Sequence, residues 1–124
     1  MTPSRVFRIA GIYGLFAVVP NYLLEHKIGV DMPPPITHPE FFYAFTGVAL
    51  AWQVLFLLVA NDPARLRPVM LPAALEKAAF FGTVFALYAL GRCSAQMLPF
   101  AAIDGLLGLA FVWSWRHTPE PALA

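Results

Sequence analysis

Few side chains in this sequence can do chemistry, and the most informative is Asp104. It sits deep inside an apolar run, about 12 Å along a helix axis from Gln96 at roughly 1.5 Å per residue. A carboxylate in hydrocarbon must find a partner or take up a proton. Its chemistry would be that of an acid or base, or of an anchor for a ligand's polar end. The plainer account is a structural hydrogen bond to a neighbouring helix.

Further polar residues recur at helical spacing. Thr46 and Gln53 lie seven apart, as do Glu76 and Thr83, and so share a face. Asn21 and Glu25 lie one turn apart, with Gly14 on the same stripe. Asp104, Asn21, Glu25, Thr46, Gln53 and Arg92 form the candidate ligand-binding or proton-titrating set. Arg92 is expected to bend toward Glu25 or, less easily, Asp104. His26, His38 and Glu40 fall in a proline-rich loop expected to roof a pocket that opens outward. Glu76 and Lys77 read instead as interfacial, with Lys77 snorkelling to the membrane edge.

Other chemistries find no footing. His26, His38, Glu25 and Glu40 match no standard metal-ligand spacing, so no metal is assigned. Cys93 is the single cysteine, which excludes an internal disulfide and a cysteine-based metal site. It reads as a small apolar filler. There is no haem-attachment CxxCH, phosphate-binding glycine loop, GxGxxG or GxSxG, and no cofactor is expected. A net charge of +1 without a basic stripe speaks against nucleic acid.

The elements that hold these residues follow from composition. Hydrophobic residues make up 60% of the 124 positions and charged residues 12%, about half the share in soluble domains. A soluble chain this small could not bury so much apolar surface. Four apolar segments, about 6–24, 41–60, 71–91 and 94–115, each approach the ~20 residues that cross a bilayer. Nothing alternates with period two, so strands are not expected. The expected fold is all-α: a single domain forming an antiparallel four-helix transmembrane bundle.

Proline punctuates the segments. The stretch from Asp31 to Pro39 cannot be helical, Asn61-Asp62-Pro63 stops the second helix, and Gly91-Arg92 closes the third. Pro20 should kink the first helix, and Pro20 and Pro99 are the candidate helix breaks. The first segment carries Arg5 and Arg8 as a signal peptide would, but no small-x-small cleavage site follows, so a retained helix is expected. Gly11, Gly14, Gly47, Gly82, Gly105 and Gly108 suit close helix approach. Arg5, Arg8, Arg65, Arg67, Lys77 and Arg116 mark one set of ends, Lys27 and Arg92 the other. The positive-inside rule then puts both termini in the cytoplasm. Trp113 and Trp115 suit that interface, and Tyr22 and Tyr43 the outer one.

The run Pro34-Pro35-Ile36-Thr37-His38-Pro39-Glu40-Phe41-Phe42-Tyr43, followed by Gly47-Val48-Ala49-Leu50-Ala51-Trp52-Gln53, resembles small bacterial four-helix membrane proteins. So does Leu71-Pro72 with Leu75-Glu76-Lys77. In size and layout the chain is similar to DoxX-like proteins over most of its length. In topology alone it is similar to the EXPERA bundles that bind sterol-like molecules. The resemblance implies a bacterial inner-membrane address and an apolar or amphipathic ligand; it transfers no site residue.

The expected function is binding or association: a subunit of a larger membrane complex, a homo-oligomer, or a receptor for an apolar ligand. Phe41, Phe42, Phe45, Phe80, Phe81 and Phe85 would wall such a pocket, unless they are ordinary packing. The alternative is an intramembrane enzyme using Asp104 or Glu25 as acid or base on a lipid-soluble substrate. The third is a small dimeric transporter.

Overall fold

A computed structural model describes residues 1–122. Five helices succeed one another: α1 (Pro3–Val18), α2 (Glu25–Asp31), α3 (Pro39–Asn61), α4 (Met70–Ala89) and α5 (Leu98–His117). Short 3-10 turns extend three of them: Val19–Leu23 after α1, Arg67–Val69 before α4, and Ala95–Met97 before α5. There is no strand among the described residues.

Local chemistry explains these boundaries. Thr2 caps α1 by accepting the Arg5 N–H at 3.3 Å, and Pro3 occupies the first turn, where its missing donor costs nothing. Pro20 lacks an N–H for the α-helical ladder, and the chain tightens into the Val19–Leu23 turn. Pro99 lies in the first turn of α5, so it starts that helix and does not break it. The stretch expected to be loop from Glu25 is instead helical as far as Asp31. A Lys27–Asp31 ion pair of 2.6 Å, one turn apart, supports α2.

The four long apolar stretches, Pro3–Leu23, Pro39–Asn61, Arg67–Ala89 and Ala95–His117, have mean hydropathies of 1.4, 1.9, 1.4 and 1.6. No more than 28% of any of them is buried within the protein. Side chains such as Phe16, Leu106 and Leu109 stand 78%, 68% and 70% exposed. So much bare hydrocarbon calls for an apolar solvent, and helices satisfy their backbone within it. The chain is a small integral membrane protein with four crossing helices.

Pairing follows residue size. On α1 and α3, Ser4 donates to the Ala60 carbonyl at 2.6 Å, Gly11 lies against Leu57, and Tyr22 stacks on Tyr43. Numbers rise on one helix as they fall on the other, so this pair runs in opposite directions. On α4 and α5, Arg67 donates to the Trp115 carbonyl at 3.1 Å, Gly108 faces Lys77, and Gly105 faces Phe81, again in opposite order. Glycine draws each pair together. Gly82 does not take part: a side chain there would meet nothing within 4 Å.

One ring cluster joins the pairs. Phe7 stacks on Phe111 at 4.1 Å between centroids, and Phe56 meets Phe111 edge-on at 4.9 Å. All three rings are fully buried, together with Val59, Met70 and Ala73. This core fills the end of the bundle that carries the chain termini. At the other end, under α2, α3 and α4 touch sparsely. There Phe45 and Phe80 stand 6.1 Å apart, and bulky rings in place of glycine keep the helices separated. The bundle is therefore closed at its terminal end and hollow beneath α2.

Candidate functional site

The hollow is a cavity of about 610 Å³ whose walls come from all four crossing helices. α1 contributes Tyr13, Gly14 and Ala17; α3 contributes Phe42, Phe45 and Ala49; α4 contributes Phe80; and α5 contributes Phe100. The volume falls in the ~300–1,000 Å³ range of small-molecule sites. The walls are mainly apolar, and the polar groups gather at the inner end, against the ring core.

Lys77 organises that inner end. Its side chain is 4% exposed, and Nζ lies 3.2 and 3.3 Å from the two Asp104 oxygens. The same ammonium stands 3.5 Å from Glu76 Oε2 and 5.3 Å above the Phe56 ring. Lys77 lies seven residues into α4, about 10 Å from its start, and Asp104 six residues into α5. Gly108 makes room for the lysine stem, whose Cβ would lie 3.3 Å from any Cβ at that position. The expected interfacial, snorkelling Lys77 is thus overturned. With Asp104 across the α4–α5 seam, pairing inward is available and the ammonium turns away from the membrane edge.

Gln53 completes the polar end from α3. It is 1% exposed, and its Nε2 donates to the Ala49 carbonyl at 3.0 Å. Its Oε1 has no hydrogen-bond partner, and Glu76 Oε2 has none beyond the ion pair with Lys77. Any side chain at Gly14 would run into the Gln53 amide, so α1 closes over it by having none.

The other expected site residues disperse. Asn21 lines the cavity near its outer end. Thr46 is fully buried, and its hydroxyl donates to the Phe42 carbonyl one turn back at 2.8 Å, a bond within its own helix. Glu25 leaves the set: it accepts the Tyr43 hydroxyl at 2.7 Å. With His26 it borders a separate recess of about 340 Å³ beside Gly29 and Pro35. Arg92 is exposed beyond Gly91 and pairs with neither Glu25 nor Asp104, whose bonds are already taken. Thr83 is exposed, so of the Glu76–Thr83 stripe only Glu76 reaches the interior.

The roof is also different from expectation. His38 and Glu40 bond to each other at 3.1 Å in the open. The residues that cover the cavity are Leu24, Ile28, Met32 and Ile36, from α2 and the strap behind it. Gln96 holds this cover in place by donating to the Asp31 carbonyl at 3.1 Å. Among the six phenylalanines expected to form a wall, Phe42, Phe45 and Phe80 do so, while Phe41, Phe81 and Phe85 do not border the cavity.

Sequence reasoning missed Glu76 and Lys77 as site residues. The signal was present: Ala78 to Gly91 is too short to cross a bilayer, so the crossing must begin before Glu76. Among the described residues no three His, Cys, Asp or Glu side chains gather where a metal ion could sit. The arrangement can hold an elongated apolar body with its polar end at the lysine–carboxylate cluster, and it can exchange protons there. The chain matches no family model, no curated protein and no solved structure.

Proposed function

We propose that this membrane protein binds an apolar or amphipathic small molecule between its four crossing helices. The observation that carries the reading is the 610 Å³ cavity, apolar along its walls and polar at one buried end. Helix bundles that serve only as packing units bring their helices together along their length; here the ring core closes one half and the other stays open.

Native mass spectrometry of the protein released from a bilayer tests this. Wild type should retain a single small-molecule adduct after loosely held lipid has been stripped. Ala17→Phe and Ala49→Phe, which fill the cavity from two different helices, should lose it. An adduct that persists in both filled variants, or a wild type that retains none and takes up no added apolar probe, overturns the reading.

A second reading is proton transfer on a lipid-soluble substrate, supported by the acids and amine at the cavity's inner end. Asp104 and Glu76 would then serve as acid and base, and Glu25, bonded outside the cavity, would not. A change in mass or double-bond position of the bound molecule between wild type and Asp104→Asn would distinguish it from binding alone.

We further propose a bacterial inner-membrane location with both termini cytoplasmic, supported by the lysine and arginine distribution. Kinship with DoxX-like proteins is proposed on the Pro34–Gln53 and Leu71–Lys77 residues alone. Self-association, or assembly with other membrane proteins through the exposed apolar helix faces, belongs to the same proposal.

A further inference from the structure

Both ends of the cavity are closed. The ring core of Phe7, Phe56 and Phe111 seals the inner end. Leu24, Ile28, Met32 and Ile36, each half-buried, cover the outer end, and the bond from Gln96 to the Asp31 carbonyl holds that cover down. The sides differ. Of the residues that line the cavity, only Phe16, Pro20, Phe45 and Phe100 are exposed. All four are apolar, and all four lie in membrane-crossing stretches. The polar lining groups, Tyr13, Asn21, Gln53, Glu76, Lys77 and Asp104, are half-buried or buried. A ring that borders the cavity and is also 78% exposed, as Phe16 is, stands at an edge where the wall gives way. Phe100 on α5 and Phe45 on α3 are alike, at 49% and 53%. Phe16 precedes the end of its stretch at Leu23 by seven residues, and Phe45 follows the start of α3 by six. Both rings therefore lie roughly 10 Å inside that end of the bundle, at the level of lipid chains and not of water.

An opening that served a water-borne ligand would bring polar groups to its rim; this one is rimmed by phenyl rings. We infer that the cavity opens sideways into the bilayer and takes a single-chain lipid from it, loaded between the crossing helices and not past α2. Moving a chain from the bilayer into an apolar cavity exchanges one hydrocarbon surrounding for another, so entry exposes no apolar surface to water. Displacing α2 would instead bare Leu24, Ile28 and Met32 to water. Size sets the limit of one chain. At ~30 Å³ for each water-sized group, a cavity of about 610 Å³ holds roughly 20 of them, enough for one chain with its end group and too few for a two-chain phospholipid. The inference rests on the binding reading above and adds to it the source and class of the ligand.

Two photoreactive lipids in bilayer discs test this. One is hexadecan-1-ol with a diazirine in its chain. The other is a phosphatidylcholine with a diazirine near the end of one chain, whose bulk keeps its head outside the cavity. After a flash, labelled residues are mapped by peptide mass spectrometry. Ala49, buried on the cavity wall, reports entry; Leu109, 70% exposed and outside the cavity, reports plain contact with lipid. The alcohol should label both residues. The phosphatidylcholine should also label both, because its chain can pass the phenyl rim while its head stays at the interface. Ala17→Phe, which fills the cavity, should lose the label at Ala49 from either probe and keep it at Leu109, showing that the variant still sits folded in the bilayer. Label from the alcohol at Ala49 with phosphatidylcholine label confined to Leu109 overturns the sideways opening and leaves the binding reading standing. If neither probe labels Ala49, the inference falls, and the adduct retained in native mass spectrometry decides separately whether the binding reading stands.

Discussion

Lys77 on α4 and Asp104 on α5 meet at 3.2 Å inside the membrane-crossing part of the bundle, with Glu76 close enough to share the ammonium. Their stability effects should be unequal. Lys77→Met leaves two carboxylates without a counter-charge in a buried setting, which costs about 3–5 kcal/mol. Asp104→Asn keeps the ammonium matched to Glu76 and should cost clearly less. Reversible unfolding in mixed micelles, followed by circular dichroism, gives the order; a milder effect for Lys77→Met than for Asp104→Asn would contradict the pairing.

Two glycines provide a matched contrast. A Cβ at Gly14 runs into the Gln53 amide, so Gly14→Ala should displace that side chain and cost about 1–3 kcal/mol. A Cβ at Gly82 meets nothing within 4 Å in the interior of α4, so Gly82→Ala should be neutral or stabilise by about 0.5–1 kcal/mol. Thermal unfolding of the two variants side by side should show a lowered midpoint for Gly14→Ala and a level or raised one for Gly82→Ala.

The three-ring core at the terminal end should matter more than the phenylalanines outside it. Phe111→Ala removes a ring that stacks on Phe7 and meets Phe56 edge-on, and should cost about 1–3 kcal/mol. That is below the ~3–5 kcal/mol usual for soluble cores, because lipid is as apolar as the interior and the loss is chiefly packing. Phe16→Ala, on a side chain 78% exposed, should change stability by less than about 0.5 kcal/mol.

Orientation can be read by labelling from one side of sealed vesicles. In a Cys93→Ser background, Thr37→Cys lies in the strap before α3 and Arg65→Cys in the turn after it. An impermeant thiol reagent outside intact cells should modify the first and spare the second. The reverse pattern would show that the arginines at the terminal end do not set the topology.

Much of the fold was legible because it follows from solvent and backbone. Segments such as 41–60 and 71–91 have the length and apolarity that a bilayer selects, and they match α3 and α4 to within a residue or two. The prolines at 33–35 mark where helix cannot continue, whereas Pro39 starts α3. Asp104 stood out for the same reason: a lone carboxylate among Leu, Gly and Ala must be accommodated somehow. Glu25 to Asp31 was misread because seven residues give too little periodicity to tell a short helix from a loop beside a proline run.

The sequence by itself determined four crossing helices, their breaks, and a costly carboxylate in the last of them, since each depends on a residue's own transfer energy or backbone freedom. Tertiary structure alone decided which way Lys77 points, whether Glu25 and Arg92 join Asp104, and that the bundle is hollow on one side. Those outcomes depend on which helix lies opposite which. A lysine's free choice between the membrane edge and an acid on the neighbouring helix is settled only when Gly108 lets α5 come close enough to offer one.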